Sequence, residues 1–358
     1  MVIIRFEPKT RFHQDVVAEV QRYFTARRLA RHGDRRLHFK TAALLIWWAA
    51  SYWLLVFIVH DASQATILAL LLGLSMAGIG FNVTHDAIHH GYSRSRRTNN
   101  LVSMISDFMG VSSYLWRWKH NYLHHGYTNI IGIDSDVNPK VFRGLCLDRP
   151  RRGIYRLQHI YLWFFYALLA VKWHLFGDFR SLITGRIGNQ RIRRPRRLDM
   201  AALLAGKLLF FSWMFGIPLL RHPVGIVIAF YLLTAFTLGL TLSVVFQLAH
   251  CVEEAIFTTP TLEDGRAEVD WAVHQIESTV DFAQESEVLT WFLGGLNFQI
   301  EHHLFPNICH IHYPAFAPIV QRCCKRWGIH YSAHRSLSAA IASHYRFLSH
   351  GAAVEPHT

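Results

Sequence analysis

The sequence predicts an all-α integral membrane protein: four transmembrane helices in two hairpins, with a helical cytoplasmic cap that holds a histidine-ligated di-metal site. Three observations carry this. Two pairs of long apolar runs are each separated by a three-residue turn, Asp61-Ala62-Ser63 and Arg221-His222-Pro223. Histidines cluster at three places outside those runs, within 24 histidines in 358 residues. The remaining segments are basic, with a formal net charge of +13. At 51% hydrophobic residues the chain is too apolar in blocks to be read as two soluble domains.

Residues 1–40 form a lead-in, with Phe12, Val16, Val17, Val20 and Phe24 at helical spacing. It is expected either on the membrane surface or under the cap. No apolar run follows a charged start, so no cleaved signal peptide is expected. Residues 41–358 are expected as the second unit. Thr41 to His60 is free of Asp, Glu, Lys and Arg, and as a helix rising ~1.5 Å per residue it spans about 30 Å, one hydrocarbon core. Residues 64–83 return across the membrane.

That second run leads directly into His85-Asp86-Ala87-Ile88-His89-His90. His85 and His89 share a helix face, and Asp86 is available to orient a ring. Asn99 to Trp118 is moderately apolar and reads as an interfacial helix. Next comes His120-Asn121-Tyr122-Leu123-His124-His125, in which three imidazoles converge if the segment is helical. Asp134 and Asp136 invite a calcium reading, but an oxygen-ligand loop needs more ligands at regular spacing. A turn or capping role is preferred.

Residues 155–176 are rich in Tyr, Trp and Phe, the composition of a membrane interface, and are expected as a helix lying in the interface plane. Residues 200–220 and 224–249 form the second hairpin. Lys207 inside it is expected to snorkel to the headgroups, a substrate headgroup contact being the alternative. The fourth run ends in His250, which emerges on the side of the clusters. Residues 251–290 carry Glu253, Glu254, Asp264, Glu268, Asp270 and Glu277 and read as cap, with residues 84–199 and 250–358 together making up the cytoplasmic portion. The third cluster is Gln299-Ile300-Glu301-His302-His303. His310 and His312 in the basic tail are expected to be structural.

The basic residues orient the hairpins. Arg22, Arg27, Arg28, Arg31, Arg35, Arg36 and Lys40 precede the first run, and Arg149, Arg151, Arg152 and the 191–197 run fill the middle loop. Lysine and arginine accumulate on the cytoplasmic side, which places both termini and all three clusters there. Attraction to a membrane surface accounts for the net charge, and nucleic acid is not expected as a partner. Cys146, Cys251, Cys309, Cys323 and Cys324 lack the paired spacing of a zinc ribbon and read as reduced thiols.

His85, His89, His120, His124, His125, His250, His302 and His303 are about twice what one tetrahedral zinc uses, so two ions are expected. Imidazole alone does not select the metal. A binuclear site at the membrane face is placed to meet a hydrocarbon chain, whose C–H bonds call for a redox metal and oxygen.

The three clusters, with Gly126-Tyr127-Thr128-Asn129, Gly295-Leu296-Asn297-Phe298 and Phe246-Gln247-Leu248-Ala249-His250, resemble the histidine boxes and flanks of the membrane fatty acid desaturases, over about residues 10–325. The flanks resemble the bacterial acyl-CoA and acyl-lipid branch, which points to a bacterial inner membrane. The resemblance implies two iron ions held by the eight histidines, molecular oxygen as co-substrate, and a fatty acyl substrate. Asp86, Gln299 and Asn297 are expected around the ligands. Gln299, where many members have histidine, resembles the front-end desaturases, which act between an existing double bond and the carboxyl end. No His-Pro-Gly-Gly haem signature occurs in the sequence, so electrons are expected from a separate ferredoxin or cytochrome and its reductase. Hydroxylation of an acyl chain, alkane or sphingolipid on the same scaffold is the nearest rival. A metal transporter would need coordinating residues near mid-membrane, and the four runs offer only Lys207, a poor metal ligand.

Overall fold

The structure is a computed structural model that describes residues 5–6, 10–135, 153–258, 266–267, 270–350 and 354–355. The sequence readings at Asp136, Cys146, Arg149, Arg151, Arg152, Asp264 and Glu268 lie outside the described residues.

Among the described residues, four helices are long and apolar enough to cross a membrane: Arg35–Ile58, Ala62–Ile88, Arg197–Leu219 and Val224–His250. Each begins at or before the start of its expected run, for identifiable reasons. Asp34 accepts a hydrogen bond from the Arg36 amide at 2.8 Å, capping the first span six residues before Thr41. Asp61 does the same for the second, accepting from the Ser63 and Gln64 amides, both at 3.0 Å. Asp61 is therefore a cap, and the hairpin turn lies just before it. The second span continues to Ile88, so the first histidine cluster begins inside the helix rather than after it. Both hairpins form as expected. The second and fourth spans pack together, and Leu72, Met76, Tyr231 and Leu238 share one buried core between them.

The two segments expected as interfacial helices differ from that expectation. Residues 99–118 lie in three short helices, Arg96–Ser103, Ile105–Phe108 and Ser113–Arg117. The break falls at Gly110, whose φ of +86° suits glycine and stops a continuous helix. The aromatic segment is a helix pair, Gly153–Ala167 and Leu169–Thr184, bent by 53°. Its bend lies on the fourth span at Gly239, where a Cβ would stand 2.4 Å from the Ala167 carbonyl oxygen. Only glycine admits that approach.

Lys207 corrects the sequence reading most clearly. It is 5% exposed and reaches neither solvent nor headgroup. Its Nζ lies 2.9 Å from Asp178 Oδ2 and donates to the carbonyls of Gly110, Trp173 and His174 at 2.6, 3.0 and 3.2 Å. Internal acceptors exist at its own depth, so the side chain has no reason to climb to the interface.

Beyond the spans, the lead-in helix Phe12–Ala26 buries Phe12, Val16, Val20 and Phe24. They pack with Phe298, Ile300 and Phe316, so the lead-in lies under the third cluster, against the tail helix Tyr313–Trp327. The cap is helical with small additions: four two-stranded pairings, among them Asp281–Phe282 with Ala333–His334. The last helix, Leu337–His350, is tied down by His344, whose Nδ1 lies 2.6 Å from the Cys251 carbonyl and whose Nε2 lies 3.1 Å from the Tyr166 hydroxyl. Cys251, Cys309, Cys323 and Cys324 are buried, and no disulfide occurs among the described residues.

Candidate metal centre

The three clusters and His250 come together. His85 and His89 are carried by the end of the second span, His250 ends the fourth, and His302 and His303 lie on the short helix Gln299–Leu304. The middle cluster has a conformation that periodicity did not anticipate. Trp118–His124 is a π-helix, and the His125 amide donates to the His120 carbonyl at 3.0 Å. An i→i+5 ladder adds one residue to the turn. His125 is thereby brought below His120 while His124 stays beside it. The ring centroids of His120 lie 5.4 Å from His124 and 4.7 Å from His125.

Ligand atoms of His85, His89, His120 and His302 all lie within 4.8 Å of one another, as do those of His124, His250 and His303. A third such set, His125, His302 and His303, joins the two pockets. All eight rings are buried. Burial first, and neighbouring imidazoles second, hold His89, His120, His125, His302 and His303 well below the ordinary histidine range. The rings are therefore neutral and their lone pairs available. Among the described residues, Nε2 of His89, His302 and His303 and Nδ1 of His125 are buried with no hydrogen-bond partner. Polar atoms are rarely left so. His85 Nε2 lies 2.9 Å from His120 Nε2, which lies 3.3 Å from His125 Nε2. Two imidazoles bound to one ion at ~2.0–2.1 Å stand about that far apart. The donor set fits metal.

Ring orientation comes from residues that sequence reasoning missed. His124 Nδ1 lies 3.0 Å from Asp134 Oδ2, which also accepts from the Asn129 amide at 3.1 Å. Asp134 is thus more than a turn residue: it faces a cluster histidine. His303 Nδ1 lies 2.8 Å from Gln275 Oε1, His302 Nδ1 lies 3.2 Å from the Tyr313 hydroxyl, and His250 Nδ1 lies 3.3 Å from the Ser278 carbonyl. Thr128 donates to Gln275 Oε1 at 3.0 Å. Asn129, at φ +54°, donates to the carbonyls of His250, Ser278 and Ile256 at 2.9, 3.2 and 3.3 Å, tying the fourth span to the cap. Such outer contacts fix the tautomer and aim of a ligating ring. Ten residues separate His124 from Asp134 and 28 separate Gln275 from His303, so no local pattern announces either pair.

Of the three neighbours expected from sequence, Asp86 and Asn297 make their hydrogen bonds elsewhere than to the clustered histidines. Asp86 Oδ2 accepts from His310 Nδ1 at 2.8 Å and from the Cys309 thiol at 2.9 Å. Its carboxylate thus orients His310, whose Nε2 lies 3.0 Å from Lys40 Nζ, and not a ring of the boxes. Asn297 donates to Thr290 Oγ1 at 2.9 Å and to the Ala283 carbonyl at 3.3 Å, holding the loop before the third cluster without touching a histidine. Gln299 is buried, with its Nε2 lacking a hydrogen-bond partner. His90 stands at φ +62°, outside the joined sets.

A narrow apolar cavity adjoins the centre, lined by Met76, Ile79, Met109, Trp116, Trp173 and Phe246 among others. Trp116 brings it to the histidines, its ring 6.2 Å from that of His85 and 6.0 Å from that of His120. Phe246 stands 6.1 Å from His120.

Four apolar spans and a buried, all-imidazole centre beside a small apolar cavity fit a membrane protein with a metal site. Residues 61–335 match the family described as fatty acid desaturase. The sn-1 linoleoyl-lipid 6-desaturase of Synechocystis sp. is 36% identical over 96% of both chains. That of Arthrospira platensis is 34% identical over 96% of this chain and 94% of its own. The acyl-lipid (8-3)-desaturase of Physcomitrium patens is 33% identical over 94% of this chain and 71% of its own. This chain belongs to the fatty acid desaturase family, and its reaction is the desaturation of fatty acyl chains.

Proposed function

We propose that this protein is an oxygen-dependent front-end desaturase that places a double bond near the 6 position of a lipid-linked acyl chain, on the carboxyl side of an existing one. The observation that carries the reading is the pair of joined histidine pockets abutting an apolar cavity, together with the extent of similarity to two sn-1 linoleoyl-lipid 6-desaturases.

In this reading His85, His89, His120, His124, His125, His250, His302 and His303 hold two iron ions, and iron bound there supplies the redox chemistry that turns oxygen against unactivated C–H bonds. The chain's own residues do the rest. Asp134, Gln275, Tyr313 and the Ser278 carbonyl keep the second nitrogens of His124, His303, His302 and His250 engaged, so that each ring presents one lone pair inward. Trp116 and Phe246 exclude water and lay the acyl chain beside His85 and His120. Gln299 offers an amide where a further imidazole would add a ligand. Two electrons and two protons from outside complete the reduction of oxygen to water, and the electrons come from a separate ferredoxin or cytochrome with its reductase. The centre and both termini face the cytoplasm of a bacterial inner membrane.

The test is gas chromatography with mass spectrometry of total fatty acids from cells expressing the chain and fed linoleate, with double bonds located by derivatisation. A new double bond on the carboxyl side of the existing one is expected. A hydroxylated acid would replace the reading with hydroxylation. No new product beside a competent electron donor would remove fatty acyl lipids as the substrate.

A further inference from the structure

Beside residues of the second and fourth spans, among them Met76, Ile79, Leu238 and Phe246, the cavity next to the histidines is walled by two segments outside the four spans. One is the broken stretch through Met109, Gly110 and Val111, and the other is the bent pair at Trp173. The first has no continuous helical ladder to fix it, and the second lies in the helix Leu169–Thr184, which leaves its partner helix at the 53° bend. Both are tied to one atom. Lys207 Nζ, on the third span, takes the Gly110 carbonyl at 2.6 Å from one wall and the Trp173 and His174 carbonyls at 3.0 and 3.2 Å from the other. Its counter-ion Asp178 lies 2.9 Å away on the bent pair, and the same Oδ2 accepts from the Ser112 amide at 2.9 Å, returning to the first wall. Lys207 and Asp178 are both buried.

The third span is held tightly enough to act as the reference. At Gly206 a Cβ would stand 2.6 Å from Asp107 Cβ and 2.9 Å from the Asp107 carbonyl carbon, so the backbone of the third span rests on that of the short helix Ile105–Phe108. The ring of Trp173 is also held at its far side, with Lys119 Nζ 5.1 Å from its centroid, next to His120 in sequence. The link from Lys207 to the centre is therefore short: ammonium, cavity wall, π-helix, histidine.

We propose that the Lys207–Asp178 ion pair is a positioning device that sets the spacing of the two cavity walls, and with it which methylenes of the acyl chain lie against the histidines. The inference rests on reading the cavity as the acyl site. Neither residue touches the centre, so the pair acts on register and selectivity, while metal retention is left to the imidazoles.

The experiment compares the parent protein with Lys207→Arg, Lys207→Met, Asp178→Asn and the double variant Lys207→Met/Asp178→Asn, in cells fed 16- and 18-carbon acids. Two readouts are taken: iron per chain in purified protein, and the ratio of positional isomers and of chain lengths among the products. With iron per chain unchanged, the variants are expected to shift one of those ratios by about tenfold, the scale of a displaced methylene in an apolar pocket. Lys207→Arg keeps the charge and changes the reach, so it moves register even if the neutralised single variants do not accumulate. Variants that hold iron and give the parental ratios, at whatever yield, overturn the proposal. Accumulation of none of them would leave the pair a staple of the fold and also overturn it. A parent that forms no double bond would instead sink the acyl reading of the cavity.

Discussion

Two of the buried polar groups in this protein are opposite in kind. Around Lys207 every contact is closed: the ammonium has a carboxylate and three carbonyls, and the carboxylate has an amide besides. Around the histidines the contacts are closed on the outside and open on the inside. Asp134, Gln275 and Tyr313 take the outer nitrogens, while Nε2 of His89, His302 and His303 ends in no partner among the described residues. A closed polar cluster holds backbone together; one with converging open atoms awaits a ligand. Composition does not separate the two, and satisfaction of each atom does.

The largest expected effect is at the open cluster. His302→Ala and His124→Ala each abolish turnover and lower the metal bound per chain while the protein stays in the membrane. Retention of product by either variant would show that the open nitrogens are not ligands. At the closed cluster the loss is one of stability. Lys207→Met leaves Asp178 buried and unpaired and costs about 3–5 kcal/mol, read as a lower unfolding temperature in detergent, and the double variant with Asp178→Asn recovers part of it. If the double loses the sum of the two singles, the pair is not coupled.

Smaller effects sharpen the contrast. Asp134→Asn keeps the shape and removes the charge behind His124, and about 10–100-fold weaker metal affinity is expected by titration, with the fold unchanged. An unaltered affinity would make Asp134 a turn residue after all. The last prediction concerns pH. Burial pushes His344 down to about 4 from the ordinary 6.5, so between those values the unfolded state binds more protons than the folded one. The stability due to the neutral ring is complete above about 6.5 and declines as pH falls toward 4, by at most about 1.4 kcal/mol per pH unit. Hydrogen exchange over Leu337–His350 measures it, and protection independent of pH across that window would exclude the latch.

Much of this was legible in the sequence. The four spans lie within a few residues of the expected apolar runs because membrane burial demands long, nearly uninterrupted apolarity, a local property. The eight histidines could be named for the same reason: seven sit in short clusters, and His250 ends a span. What was not legible is pairing at a distance. Lys207 meets carbonyls 33, 34 and 97 residues away, and read as an isolated cation it had only the interface to go to. Asp134 reads as a turn or capping residue because its partner, His124, stands ten residues back, beyond any local pattern. Asp86 failed in the opposite sense: adjacency to His85 suggested a contact, yet its carboxylate turns to Cys309 and His310.

The π-helix at Trp118–His124 makes the middle box a measure of length as well as of content. Its extra residue per turn is an insertion held in place by the fold. Deleting one non-histidine residue from it would restore α-helical register and swing the side chains beyond it by about 100°. All three imidazoles would remain in the chain, and they would no longer face one point. A frame-preserving single-codon deletion could therefore silence the centre while leaving every ligand encoded, and comparisons that count histidines without counting the residues between them would not notice.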